Sequence, residues 1–322
     1  MTPPLLELRH IHKRFGSLLA LDGAGLAVRA GEVHALLGEN GAGKSTLMHV
    51  AYGMLAPDAG EVRVQGAVRR FRSPRDARAA GVGLVHQHFS SVPALTVAEN
   101  VALFAGWEVA PAALRARVEA LAARLALPLD PAARAGDLPV ALLQRLEIVK
   151  ALAADARVLL LDEPTGVLAP AEADELLALA RRFARDGGAV VLITHKLDEA
   201  LRAADAVTVL RRGRVVESRA VPGLTARDLA RAMIGDPTLL DEPAPPAVPG
   251  DDAPVRISLG SLDVAREGGA GLAVRGADLE VRAGEIVAIA AVEGSGQREL
   301  LRAVAGVLPA AAGRCTVTAP VA

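Results

Sequence analysis

Short apolar runs bounded by glycine or charge recur along the first two thirds of the chain, at residues 32–37, 82–85, 158–161, 189–194 and 206–210. Runs of this length without alternation are the pattern of strands buried on both faces of a parallel sheet. Between them, residues 44–54, 112–125, 142–153 and 170–183 carry apolar positions at helical spacing. Strand and helix in alternation predict an α/β fold with a mostly parallel sheet, and such sheets bind ligands at the carboxyl ends of their strands. The alternation stops at residues 236–254, where six prolines and several acidic residues leave no period of either kind. That stretch predicts an extended linker between a first domain at 1–235 and a C-terminal piece at 255–322.

The C-terminal piece repeats part of the first domain. At an offset of 253, Leu26-Ala27-Val28-Arg29-Ala30-Gly31-Glu32-Val33 lies over Leu279-Glu280-Val281-Arg282-Ala283-Gly284-Glu285-Ile286, and about 15 of the 39 gapless pairs from Leu26 to Val64 are identical. Composition alone yields a few matches, not this many in one register. One repeat of this length is a duplicated domain, because solenoid periods run at ~20 to 50 residues.

Three of the predicted strands end in residues able to do chemistry. Gly38-Glu39-Asn40-Gly41-Ala42-Gly43-Lys44-Ser45-Thr46 follows one strand and opens a helix, which is the layout of a phosphate-binding loop. Its small residues let the backbone wrap phosphates, its N–H groups point at them, Lys44 reaches the terminal phosphates and Ser45 can ligate Mg²⁺. The run Val158-Leu159-Leu160-Leu161-Asp162-Glu163-Pro164 delivers two carboxylates, of which Asp162 can enter a Mg²⁺ shell and Glu163 can orient or deprotonate water. His195 follows the strand at 189–194, and a parallel sheet gathers such ends on one edge.

Charge and composition narrow the partners. With 36 Lys+Arg against 37 Asp+Glu, the chain lacks the bulk positive charge of a nucleic-acid binder, so no nucleic-acid partner is expected. Hydrophobic residues make up 52%, yet no apolar run approaches the ~18 to 20 residues of a membrane span. The first residues have no secretory-signal layout, and the lone Cys315 suits a reducing compartment.

The order of these motifs resembles the ATP-binding-cassette (ABC) ATPases, across the whole chain. The resemblance implies a P-loop NTPase fold of the ABC type: a mostly parallel sheet, an antiparallel β subdomain and a helical subdomain, with a partial second copy. It implies ATP and Mg²⁺ as ligands. Phe15 matches the aromatic that stacks on adenine, and Gln87 the glutamine that links the Mg²⁺ site to the membrane subunit. Glu163 matches the catalytic glutamate and His195 the histidine that contacts the γ-phosphate. The duplicated arrangement is similar to ATPase subunits of bacterial importers for simple sugars and nucleosides. Val85-His86-Gln87-His88-Phe89 and Asp137-Leu138-Pro139-Val140 look more like the nucleoside branch. Such subunits lie peripherally on the cytoplasmic face of the inner membrane, against transmembrane permease subunits fed by a substrate-binding protein, and dimerise through their cassettes.

The chain departs from the family in three places. Leu138-Pro139-Val140-Ala141-Leu142 stands where a Leu-Ser-Gly-Gly-Gln-like signature belongs; Pro139 lacks both hydroxyl and N–H, and Leu143 replaces a glutamine. In the second copy Gln297, Arg298 and Ala291 lie over Lys44, Ser45 and Gly38, which predicts weak nucleotide binding there and no turnover. That copy also covers only the first part of a cassette, before any second signature. Poor hydrolysis by the chain alone and uncovered apolar surface after residue 255 are therefore expected. The alternatives are a weakly hydrolysing or inactive ATP-binding cassette and a soluble cassette protein acting on ribosomes or DNA.

Overall fold

The structure is a computed structural model and describes residues 3–235, 253–267, 271–291 and 294–318. The chain divides into two compact units, Met1–Asp241 and Glu242–Ala322. Most of the linker expected at 236–254 lies outside the described residues.

The first unit opens with β1 (Leu6–Phe15), β2 (Leu18–Val28), β3 (Val33–Leu37), α1 (Lys44–Ala51), β4 (Ala59–Val64), β5 (Ala67–Arg69), α2 (Pro74–Ala79) and β6 (Val82–Val85). Three helices follow, α3 (Val97–Ala105), α4 (Pro111–Leu125) and α5 (Val140–Ala153). The unit closes with β7 (Val158–Asp162), α6 (Pro170–Arg185), β8 (Ala189–Ile193), α7 (Leu197–Ala203), β9 (Ala206–Arg211), β10 (Arg214–Ala220) and α8 (Ala226–Ile234).

Two sheets result. The order β10-β9-β3-β8-β7-β6 is parallel throughout except for the β9–β10 hairpin, and β2-β1-β4-β5 is antiparallel. The expected α/β fold is present. Alternate residues of the central strands face two separate cores. Leu36, Val158, Leu160, Val191 and Ile193 join the core that includes α1 and the antiparallel sheet. Ala35, Leu37, Leu159, Leu161, Val190 and Leu192 pack with residues of α6 and α7. A third core, built on Val101, Val118, Leu146 and Val149, holds α3, α4 and α5 together.

Helix ends differ from the sequence expectation for local reasons. The helix from Lys44 stops at Ala51 instead of Met54, because Gly53 takes φ 75° where a Cβ would meet Phe71 and Ser73 at 2.7 Å. The helix expected from 142 starts at Val140, because the Pro139 carbonyl accepts from the N–H groups of Leu142 and Leu143 at 2.9 and 3.0 Å. The β1–β2 ribbon escaped the pattern search: its register shifts around Ile11 and the left-handed His10 (φ 50°) break the alternation.

The second unit holds β11 (Val255–Ala265), β12 (Leu272–Arg282), α9 (Gln297–Val304) and β13 (Ala312–Val317), with sheet order β12-β11-β13. Helix α9 and strand β13 sit 253 residues beyond α1 and β4 at both ends, so the sequence repeat is a structural one. One element is not repeated: residues 286–290, which overlay β3, form no strand. In the first unit β3 is central, paired with β8 and β9, and no such neighbours exist among the described residues of the second. Ile286 is accordingly 86% exposed, and Leu301 and Val307 are also exposed. Among the described residues no helix is long and apolar enough to cross a membrane.

Candidate active site

Strands β3, β8, β7 and β6 are adjacent and parallel, so their carboxyl ends open on one edge. There the chain delivers, in the same order, the loop from Gly38 to Thr46, His195, the pair Asp162–Glu163, and Gln87. A cleft of about 980 Å³ on this edge is lined by Gly38, Glu39, Asn40, Gly41, Gly43, Lys44, Ser45, Thr46, Gln87, Glu163 and His195, with Phe15 at its rim. Its size is at the upper end for small-molecule sites. Of the predicted site residues, Ala42 and Asp162 do not line the cleft: both are buried, the Ala42 carbonyl accepting from the Gly213 N–H at 2.9 Å.

The loop owes its shape to two glycines. A Cβ at Gly38 would lie 2.3 Å from the Leu210 carbonyl oxygen, and one at Gly43 2.8 Å from the Ala20 oxygen. Lys44 is buried and donates to the carbonyls of Gly38 and Glu39 at 2.7 and 3.0 Å, so its ammonium is held inside the loop. Burial pushes that ammonium below its ordinary pKa, and the carboxylates of Glu163 and Asp162 pull it back up.

Glu163 is the hub of the acidic side. It sits in the left-handed region at φ 46°, its N–H donating to the Ile193 carbonyl at 2.9 Å, which ties the end of β7 to the end of β8. One carboxylate oxygen lies 3.2 Å from His195 Nδ1 and the other accepts from Gln87 Nε2 at a long 3.4 Å. Residues 87, 163 and 195 thus form one polar group around the cleft. Burial, and then the adjacent Glu163 charge, raises the Asp162 pKa, against His49 and Lys44.

A buried carboxylate beside a second carboxylate gains from a nearby cation, which suits a metal-binding carboxylate. The oxygen donors of Ser45, Gln87 and Asp162 suit a hard cation that is shared with substrate phosphates, so the residues fit Mg²⁺.

Leu18, Leu19, Ala20, Arg212, Gly213 and Met233 also line the cleft and escaped the sequence reading. Arg212 stands in the β9–β10 turn at φ 49°, and the Arg-Arg-Gly-Arg string was the only available signal for it. Met233, on the last helix of the unit, carried none.

The second unit keeps the loop frame. Gly296 is left-handed at φ 92°, with a built Cβ 2.2 Å from the Ala273 carbonyl, the position equivalent to Ala20 beside Gly43. Gln297 opens its helix in place of Lys44, and its side-chain Oε1 is buried with no hydrogen-bond partner among the described residues.

A phosphate loop, an acidic strand end and a histidine on one edge of a parallel sheet, with a three-helix insertion, define a P-loop ATPase domain. A family model described as ABC transporter matches residues 21–166. Residues 21–166 are thus an ABC transporter ATPase domain. It is 40% identical over 308 residues to a nucleoside import ATP-binding protein, NupA, of Lactococcus lactis, with 94% of this chain and 60% of the relative covered. A glucose import ATP-binding protein, TsgD13, of Haloferax volcanii is 40% identical, with 98% and 62% covered. A ribose import ATP-binding protein, RbsA, of Chelativorans is 42% identical, with 94% and 58% covered. The chain therefore spans about three fifths of the length of these curated relatives. Among solved structures, the ADP conformation of MJ1267, an ATP-binding cassette of an ABC transporter, aligns with TM-score 0.63 and 25% identity over 73% of this chain and all of that one. The cbiO1 cassette of Clostridium perfringens aligns with TM-score 0.62 and 26% identity, covering 71% of this chain and 93% of that one.

Proposed function

We propose that this chain binds and hydrolyses ATP with Mg²⁺ to energise an importer for nucleosides or simple sugars, from the cytoplasmic face of the inner membrane. The convergence of Lys44, Ser45, Gln87, Glu163 and His195 on one cleft carries the reading. Phe15 offers an aromatic face to the adenine, and the loop from Gly38 to Thr46 wraps the phosphates. Lys44 meets the terminal phosphates. Ser45, Gln87 and Asp162 would hold Mg²⁺, which would supply positive charge against the phosphates. Glu163 takes the proton of the attacking water, and His195, positioned by its contact with Glu163, faces the γ-phosphate.

The names of the relatives support import: nucleosides for one, glucose and ribose for others. The expected partners are transmembrane permease subunits, a substrate-binding protein acting through them, and a second cassette. Uptake of labelled nucleosides and ribose by cells lacking the gene is the test. Loss of one uptake, restored by the gene but not by its Lys44→Ala form, is expected; normal uptake of both in the deleted strain would remove the importer role.

The signature position bears on rate. Pro139 caps α5 without a side-chain hydrogen bond, and Ala141 follows one residue into the helix. Pro139→Ser with Ala141→Gly restores a hydroxyl, an N–H and close backbone approach at that helix start. Turnover by the chain is expected to rise at least about 10-fold, short of the roughly 10²–10³ that a fully aligned transition-state donor contributes. An unchanged rate would place the limit elsewhere.

A further inference from the structure

The proposed role of Gln87 leaves open what holds Gln87 in place. Three and four residues beyond it, Ser90 and Ser91 meet a buried ion pair from α5, Glu147 and Lys150, each 3% exposed. Glu147 Oε1 accepts from the N–H groups of Ser90 and Ser91, both at 2.9 Å, and from the Ser91 hydroxyl at 2.7 Å; Oε2 accepts from the Ser90 hydroxyl at 2.8 Å. Lys150 Nζ lies 2.9 and 3.0 Å from the same carboxylate oxygens, and donates to the two hydroxyl oxygens at 2.9 and 3.1 Å.

The next residues are laced to the same helical layer. The Asn100 carboxamide accepts from the Val92 N–H at 2.7 Å and donates to the carbonyls of Val92, Leu95 and Thr96, while the Gly136 N–H donates to the Pro93 carbonyl at 2.9 Å.

Two desolvated charges one helical turn apart still have donors and lone pairs left over after pairing with each other. Here their remaining capacity goes to a loop, and both loop N–H groups point at one carboxylate. A buried polar network satisfied in this way specifies a single arrangement. Helix α5 begins at the signature position, so the network joins that position to the chain after Gln87.

We propose that Glu147, Lys150, Ser90 and Ser91 form a positioning clamp that makes α5 and the segment after Gln87 one body and so holds Gln87 at the Mg²⁺ site. This deepens the function above and rests on it. Glu147 and Lys150 act through Gln87 and touch no substrate.

The test compares the full chain with Ser90→Ala/Ser91→Ala, Ser90→Thr/Ser91→Thr and Gln87→Ala. The alanine pair leaves the Glu147–Lys150 pair intact, which keeps the core folded. Binding of a non-hydrolysable ATP analogue is measured in EDTA and in excess Mg²⁺, beside the melting temperature and amide exchange at residues 88–92. The alanine pair is expected to keep the EDTA affinity, to lower the melting temperature without unfolding the chain at the assay temperature, to speed exchange at 88–92, and to lose about 10-fold of the affinity gained from Mg²⁺, as Gln87→Ala does. The threonine pair keeps both hydroxyls and restores the gain. Unchanged exchange would overturn the clamp; faster exchange with a full Mg²⁺ gain would overturn its hold on Gln87. An unaltered chain that binds the analogue without any gain from Mg²⁺ also overturns the proposal. Absence of analogue binding in both conditions would instead overturn the nucleotide reading, and the role of Gln87 with it.

Discussion

Lys44→Ala is expected to weaken ATP binding by about 100-fold, read by equilibrium titration of the purified chain. The lysine is buried in the loop, where low local dielectric strengthens any contact between its ammonium and a phosphate. That ammonium donates to the carbonyls of Gly38 and Glu39, so its removal leaves two loop oxygens without this donor as well. Loss of fold is the competing explanation for weak binding. It is answered by the melting temperature, which should fall only modestly because the side-chain hydrogen bonds of Lys44 go to Gly38 and Glu39 of its own loop. A variant that stays folded and still binds ATP within about twofold of the original would show that the phosphates do not sit at this loop.

Glu163→Gln should lower turnover by roughly 10³-fold while leaving ATP affinity intact, since a general base contributes about 10² to 10⁴ to such a reaction. The amide keeps the shape of the carboxylate and an oxygen to accept from Gln87, but cannot take a proton from water. It also removes a charge that bears on the pKa values of both Asp162 and Lys44. With Glu163 neutral, Asp162 ionises more readily, so binding with Mg²⁺ should not weaken. Parallel loss of affinity and rate would make residue 163 a binding group; an unchanged rate would place the base elsewhere. Because basal hydrolysis is expected to be low, single-turnover phosphate release is the suitable measurement.

The phosphate loop was legible because so few sequences allow it: the Gly38 and Gly43 positions forbid a Cβ, and Lys44 must follow directly. Asp162 and Glu163 were legible as a buried strand ending in charge. Phe15 and Gln87 were not. An aromatic in a bulged ribbon and a loop amide carry no pattern of their own, and only the resemblance to a family singled them out. Arg212 and Met233 enter the cleft from a turn and a helix far along the chain, and local pattern holds no information about which distant side chains converge. Glu147 and Lys150 look on paper like the solvated face of a helix, yet the packing of α5 against the loop after Gln87 buries both. Residues 286–290 overlay β3 in the repeat yet form no strand. A strand depends on its neighbours, and the described part of the second unit supplies none for it.

The contact of Gly38 with the Leu210 carbonyl has a bearing on how the cleft keeps its length. The same strand, β9, leads within two residues into the turn of Arg212 and Gly213, where the Gly213 N–H holds the Ala42 carbonyl and the Gly213 carbonyl takes the Asp22 N–H at 2.8 Å. One strand end therefore braces the phosphate loop and carries the part of the wall where Arg212 stands. It works as a ruler: the spacing between the loop and the Arg212 turn is set by backbone contacts and not by side chains that can swing. A nucleotide entering such a gauge finds the distance already measured, and little of its binding energy goes into assembling the walls.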